Sequence, residues 1–223
     1  ITKSTDKKPL NIAGNVTVNS GTFNYIAGNS QGSGVKIQKE INIMVQGSTV
    51  TNYVVGGMIE GASNGGQVNA KSNVKILGAV DVTDEVIAGA RYTYQAGTAG
   101  ADVLINTTGT INRLTACSLG SCVETSEFNT YILNGKIDTL CGFRSNGGSS
   151  DGKPAAEIGL PVVKDADGNY TEGTVVNIYV DGGTVSTSYL GLYALGSGAV
   201  TAKGEVNLYY NHRLTGEDKP AIY

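Results

Sequence analysis

The 223-residue chain contains no tryptophan, four prolines, three cysteines and a single histidine. Each scarcity excludes something. One histidine, His212, leaves no Ser-His-acid set for nucleophilic catalysis and supplies no zinc site, since no fourth ligand accompanies it and the cysteines. Lysine and arginine total 16 against 19 acidic residues, for a net charge of −3. They form no basic stripe, so a nucleic-acid backbone has nothing to bind to. No apolar run reaches the roughly 18 residues that a membrane-spanning helix needs. Leu, Glu and Lys are sparse, and no window repeats apolar residues at i, i+3, i+4 and i+7, so helix is a minor component. No Gly-x-x-x-x-Gly-Lys-Ser/Thr motif is present, and the glycines punctuate strands rather than open helices, which sets aside phosphate-loop and dinucleotide chemistry.

What the chain has is glycine, 32 residues of it, together with abundant Asn, Thr, Ser, Val and Ile. That is a composition of strands and tight turns. One phrase recurs: a short alternating strand, a glycine, a small residue, an apolar residue, a few polar residues, then another apolar residue and Gly or Ala. It runs from Val16 to Gly28, Ile43 to Gly56, Val74 to Gly89, Val103 to Ala116, Tyr131 to Gly142 and Ile178 to Gly191, and begins again at Val206. Such a period predicts an all-β, right-handed parallel β-helix (a β-solenoid) of about seven irregular coils of about 26 to 33 residues. Each coil pairs edge-on with the next, which satisfies the backbone, and equivalent side chains stack.

The alignment places Phe23, Val50, Val82, Ile111, Ile137 and Val185 in one interior stack and Ile26, Val54, Val86, Leu114, Leu140 and Leu190 in a second. Between them, Asn24, Asn52, Asp84, Asn112 and Asp138 read as a ladder of turn-bonding side chains. Residues 15–216 form the solenoid domain, 1–14 a lead-in or cap and 217–223 a tail. Roughly twenty extra residues around 146–172 form an inserted loop and hairpin, with Val162–Tyr170 turning at an Asp-Gly pair. Open solenoid ends invite end-to-end self-association.

The phrase Ser20-Gly21-Thr22-Phe23-Asn24-Tyr25-Ile26-Ala27-Gly28, echoed at Gly109-Thr110-Ile111 and Gly183-Thr184-Val185, resembles the Gly-Gly-Thr-[Phe/Val]-x-x-[Val/Ile]-x-Gly coils of large bacterial surface and adhesin-like β-solenoid proteins. The likeness spans most of residues 14–212. It implies secretion, a cell-surface setting, a stalk or ligand-presenting role toward a host or cell-surface glycan or protein, and a longer parent chain. The first ten residues do not read as a signal peptide and the chain lacks an initial Met, as expected of a mature protein or an excised fragment.

Candidate chemistry is sparse. The alternative to a non-enzymatic surface module is a carbohydrate-active β-helix enzyme, a polysaccharide lyase or hydrolase. It would use a mixed-charge patch of Asp84, Arg113 and Asp138, flanked by Glu85 and Arg144, on adjacent coils. The same residues also suit a solvated face with cross-coil ion pairs. No cofactor is expected. Calcium is the one metal with a case, at Asp165, Asp167, Asn169 and Glu172, although the EF-hand spacing is not met. Tyr189, Tyr193, Tyr209 and Tyr210 are candidate sugar-stacking or partner-binding residues. Cys117 and Cys122 could close a short loop, either could pair with Cys141, or all three could be small packing residues.

Overall fold

The computed structural model describes residues 14–29, 36–37, 39–58, 67–68, 70–89, 91, 99–117, 126–145, 156–194 and 200–210. Most of the lead-in, the tail, Cys122, His212 and the loop at 146–155 lie outside them.

The described chain is all-β and winds as a solenoid. The first rung is β1 (Gly14–Val18) and β2 (Gly21–Asn29), with β3 (Lys36–Ile37) as a short third side. The second is β4 (Ile41–Val45), β5 (Ser48–Met58) and β6 (Gln67–Val68). In β7 (Ser72–Ile87), β8 (Gly100–Thr115) and β9 (Ser126–Ser145) one strand bends across both main faces. After β9 come β10 (Ala156–Ile158), β11 (Val163–Lys164) and β12 (Tyr170–Glu172). The last rungs hold β13 (Thr174–Val180), β14 (Thr184–Ala194), β15 (Val200–Ala202) and β16 (Glu205–Tyr210).

The first face stacks in the order β1-β4-β7-β8-β9-β13-β16, and every one of these pairings is parallel. The second face stacks β2, β5, β7, β8, β9 and β14, again in parallel. Short parallel pairs β3–β6 and β10–β15 make the third side. The coil completes about five turns, slightly fewer than the seven sequence copies suggest. The expected hairpin is present: β11 and β12 are antiparallel, with Lys164 opposite Tyr170. Its insertion stretches the rung spacing to 48 residues between Asn129 and Asn177, against 27 between Asn15 and Asn42.

Alternation explains the core. In β4, Ile41, Ile43 and Val45 face inward and are buried while Asn42 is exposed. One contiguous cluster then runs through Val74, Ile76, Val103, Ile105, Ile132, Ile178 and Val180. Each such side chain, fully buried, contributes about 1.5–3 kcal/mol, so burial rather than turn chemistry holds the stack.

Both proposed stacks are present in register, each with one residue exchanged, but the first is not interior at its end, since Phe23 on the first rung is 38% exposed. The first runs Phe23, Thr51, Val82, Ile111, Ile137 and Val185. Thr51 replaces Val50: Thr51 is 0% exposed and Val50 40%. The turn of the second rung is longer, running Gly47-Ser48-Thr49-Val50-Thr51 where the first rung has only Gly21-Thr22-Phe23. The difference is two residues, which keeps the phase: Thr49 and Thr51 both face inward and Val50 between them faces out. Choosing the apolar residue instead of the buried threonines therefore slips the reading by one, and a one-residue slip in a period-two strand reverses which face a side chain takes. In the second stack, Ser188 rather than Leu190 lies opposite Leu140. Leu190 stands two residues farther along, within a bulge between Tyr189 and Leu192, and still packs against the core.

The corner between the two faces explains the recurring glycine. Gly47 has φ 67, and a Cβ there would sit 2.0 Å from the Asn19 carbonyl oxygen of the rung below. The fourth rung turns differently. There buried Thr107 donates its hydroxyl to the Gly78 carbonyl (2.8 Å) and accepts from the amides of Val80 and Gly109 (3.0 Å each).

The expected turn ladder is partly realised. Asn52 Nδ2 donates to Asn24 Oδ1 (2.9 Å), but the third member is Thr83, whose hydroxyl donates to Asn52 Oδ1 (2.9 Å). Asp84 is displaced because β7 carries one more residue between Val82 and Glu85 than β5 does between their partners Thr51 and Tyr53. The longer ladder lies outside the first face. Asn42 donates to Asn15, Asn73 to Asn42, Asn129 to Asp102, Asn177 to Asn129 and Asn207 to Asn177.

Candidate functional site

The bulge in β7 builds the most unusual site of the molecule. By shifting register it sets Glu85 opposite Tyr53 of the rung below and close to Arg113 of the rung above. Glu85 is 1% exposed. Its Oε1 accepts from the Thr115 hydroxyl (2.5 Å), and its Oε2 accepts from Arg144 Nη1 (2.5 Å). Arg113 Nη1 stands farther off, 4.0 Å from the same Oε2. Burial raises the Glu85 pKa, and Arg144, the Thr115 hydroxyl, Arg113 and Arg91 pull against it. Removing this carboxylate from water therefore outweighs the attraction of three guanidiniums.

Of the expected mixed-charge patch, Glu85, Arg113 and Arg144 come together. Asp84 instead hydrogen-bonds Tyr53, and Asp138 pairs with Lys136 (3.2 Å). Among the described residues the carboxylate beside Arg113 is Glu85. The Arg113 carbon lies 5.7 Å from the Tyr193 ring centroid, and Tyr193 packs on Tyr189 at 4.6 Å with a 32° tilt. On the opposite side of Glu85, Arg91 sits 3.9 Å over the Tyr53 ring, which stacks on Tyr25. Two aromatic pairs thus flank a cationic centre.

The four candidate tyrosines do not form one site. Tyr189 and Tyr193 belong to this cluster. Tyr209 belongs to a ladder outside the first face, Tyr131–Tyr179–Tyr209, with centroids 4.8–4.9 Å apart and planes within 11°. Both faces of the middle ring are covered by its neighbours, so this ladder offers hydroxyls and edges rather than a flat sugar platform. Tyr210, paired with Val180, is exposed on the last described rung. Below Tyr131 lies an open groove of about 440 Å³ lined by Asn42, Asn73, Lys75, Asp102, Leu104 and Tyr131.

The residues considered for calcium sit on the hairpin. Asp165 Oδ1 accepts from the amides of Asp167 (3.0 Å) and Asn169 (2.8 Å), and its Oδ2 accepts from Asn169 Nδ2 (3.2 Å). These bonds lower the Asp165 pKa and occupy its oxygens in forming the turn. Among the described residues, no group of three or more His, Cys, Asp or Glu is placed to hold a metal ion. The hairpin docks on the outside of β16. Lys164 pairs with Glu205 (3.1 Å), and the Tyr170 hydroxyl donates to the same carboxylate. Cys117 and Cys141 are buried, and burial pushes the Cys141 thiol up to about 11.

Neither outer ladder, nor the role of Glu85, is among the sequence expectations. The Asn ladder has a visible signal: Asn15, Asn42, Asn73, Asn129, Asn177 and Asn207 each stand second to fourth in a first-face strand, with Asp102 in the same place. Compared with protein-family profiles, curated proteins and solved structures, the chain matches none of them.

Proposed function

We propose that this chain is a non-enzymatic module of an extracellular bacterial surface, a rigid spacer that presents side chains for adhesion. The observation that carries the reading is the disposition of its charges. Glu85, the carboxylate nearest the arginine cluster, is buried and held by Thr115 and Arg144. A general acid or base must reach the proton it transfers, and this carboxylate is occupied inside the protein. Long parallel ladders and a continuous core suit mechanical spacing, and the paired tyrosines and exposed outer columns suit recognition of a glycan or protein.

The competing reading is a polysaccharide lyase or hydrolase of the parallel β-helix type. Incubating the purified chain with acidic and neutral polysaccharides, and measuring new reducing ends and unsaturated products, separates the two. No turnover alongside binding on a glycan array or to a cell surface is the expected result; turnover overturns the reading.

A further inference from the structure

Within that ligand-presenting reading, on which this inference rests, we infer that Arg113 and Tyr193 form a subsite for a carboxylate-bearing sugar, such as a uronic acid residue within an acidic polysaccharide. Two arginines share Glu85 unequally. Its Oε2 is held by Arg144 Nη1 at 2.5 Å, whereas Arg113 Nη1 is 4.0 Å away. The other Glu85 oxygen takes the Thr115 hydroxyl. The internal carboxylate is thus spent on Arg144 and Thr115, and Arg113 is the under-compensated cation. Its Nε, like that of Arg144, is buried with no hydrogen-bond partner among the described residues, but its side chain is 22% exposed against 7% for Arg144, so Arg113 is the arginine of the pair that a ligand can reach. An arginine fork matches a carboxylate with two parallel N–H···O bonds, a geometry that a lone ammonium does not offer.

The aromatic neighbours select the rest of the ligand. Tyr193 lies beneath the Arg113 guanidinium, and Tyr189, an exposed ring, extends the aromatic surface from it. A sugar carries its carboxylate on a ring with an apolar face, so one residue can meet the arginine with its acid and the tyrosines with its ring. A neutral sugar leaves the guanidinium unanswered, and inorganic phosphate leaves the tyrosines unused. Arg91, which also acts on Glu85, adds positive field from the far side and favours an anionic chain over a single charge.

The test uses the whole chain with two probes that differ at the carboxyl group, oligogalacturonate and its uncharged methyl ester, with binding followed by calorimetry. Wild type is expected to bind the acid about tenfold or more tightly than the ester, the scale of a charge-assisted hydrogen-bond pair. Arg113→Gln is expected to erase that preference, Tyr193→Ala to weaken both forms, and Lys136→Gln, at a separate exposed pair, to change neither. Equal binding of acid and ester by wild type, or a preference that survives in Arg113→Gln, overturns the subsite. If Arg113→Gln does not fold, Arg113→Lys, which keeps the charge but loses the fork, should still weaken acid binding, and the wild-type acid-to-ester comparison decides alone. Binding of other glycans but of neither probe sinks the subsite and leaves the adhesive reading intact. Binding of no glycan or protein surface at all sinks both.

Discussion

Arg144 Nη1 lies 2.5 Å from Glu85 Oε2 although 59 residues separate them in sequence. The pair joins the third rung to the fifth from outside the main core. Because burial raises the Glu85 pKa despite this contact, the folded state holds a proton at Glu85 more tightly than the unfolded chain does. Its contribution is therefore fully present below the unfolded carboxyl pKa and is lost as pH rises through the folded one. Glu85→Gln keeps an acceptor for Arg144 and Thr115, so it should cost little at neutral pH and flatten that slope. Glu85→Ala leaves Arg144 buried with neither an anion nor an acceptor and should cost about 3–5 kcal/mol. Denaturant titrations of the three proteins across the acid range check this; a wild type that gains stability relative to Glu85→Gln as pH rises counts against it.

Val50 and Val82 distinguish the observed register from the one the sequence suggests. Val82 is buried between Thr51 and Ile111, whereas Val50 is outward. Val82→Ala should cost about 2 kcal/mol, by lost burial and a residual cavity, and Val50→Ala less than about 0.5 kcal/mol, as an exposed substitution does. Comparable losses at both positions would put Val50 back in the core. Thermal or urea unfolding of the two single variants is sufficient.

These residues also show how far the sequence carries. The solenoid was legible because stacking demands the same polarity at the same place in every rung, and Ile111, Ile137, Leu114 and Leu140 obey it. Phase within a rung was less legible. The bulge before Glu85 reverses the facing of the later residues in its strand, and in the second rung the apolar pattern points to Val50 because threonines fill the inward places on either side of it. Glu85 was visible only as one charge among several. Its burial depends on Arg144 reaching across two rungs, and no local spacing encodes that. The Tyr131–Tyr179–Tyr209 ladder was hidden for a related reason, because the insertion separates its first two members by 48 residues where its last two are 30 apart, the spacings of the neighbouring Asn177–Asn129 and Asn207–Asn177 bonds.

Asn177 sits in the middle of the outer amide ladder, donating to Asn129 Oδ1 at 3.0 Å and accepting from Asn207 Nδ2 at 3.1 Å. Asn177→Ala leaves one acceptor and one donor unmatched in a largely buried place, so a loss of about 1–3 kcal/mol is expected. Asn15, at the exposed beginning of the ladder, should lose less than about 1 kcal/mol as Asn15→Ala, because water replaces its partner. Equal effects at the two positions would mean that the ladder gains nothing from its length.

The hairpin offers a test of the calcium reading. With both Asp165 oxygens accepting turn hydrogen bonds, a cation would have to displace those bonds before gaining ligands. Chelation followed by calcium addition should leave the melting temperature unchanged, and a rise on calcium addition that Asp165→Asn abolishes would establish a site there.

Cys141 lies on the outer side of the second face, opposite Thr115 and Tyr189, and is buried. Burial comes first in raising its thiol to about 11, with the nearby Glu85 adding to the effect and Arg113 and Arg144 opposing it. Reactivity follows the thiolate, so near pH 8 Cys141 should resist alkylation in the folded protein on two counts, access and ionisation. Brief maleimide labelling followed by peptide mass spectrometry should find the Cys141 peptide unmodified in buffer and fully modified in denaturant. Glu85→Gln removes one of the charges that suppress the thiolate while leaving the burial in place. If that variant labels at Cys141 as slowly as wild type does, access dominates; if it labels faster at unchanged stability, the Glu85 carboxylate reaches the thiol through the same cluster that faces Arg113.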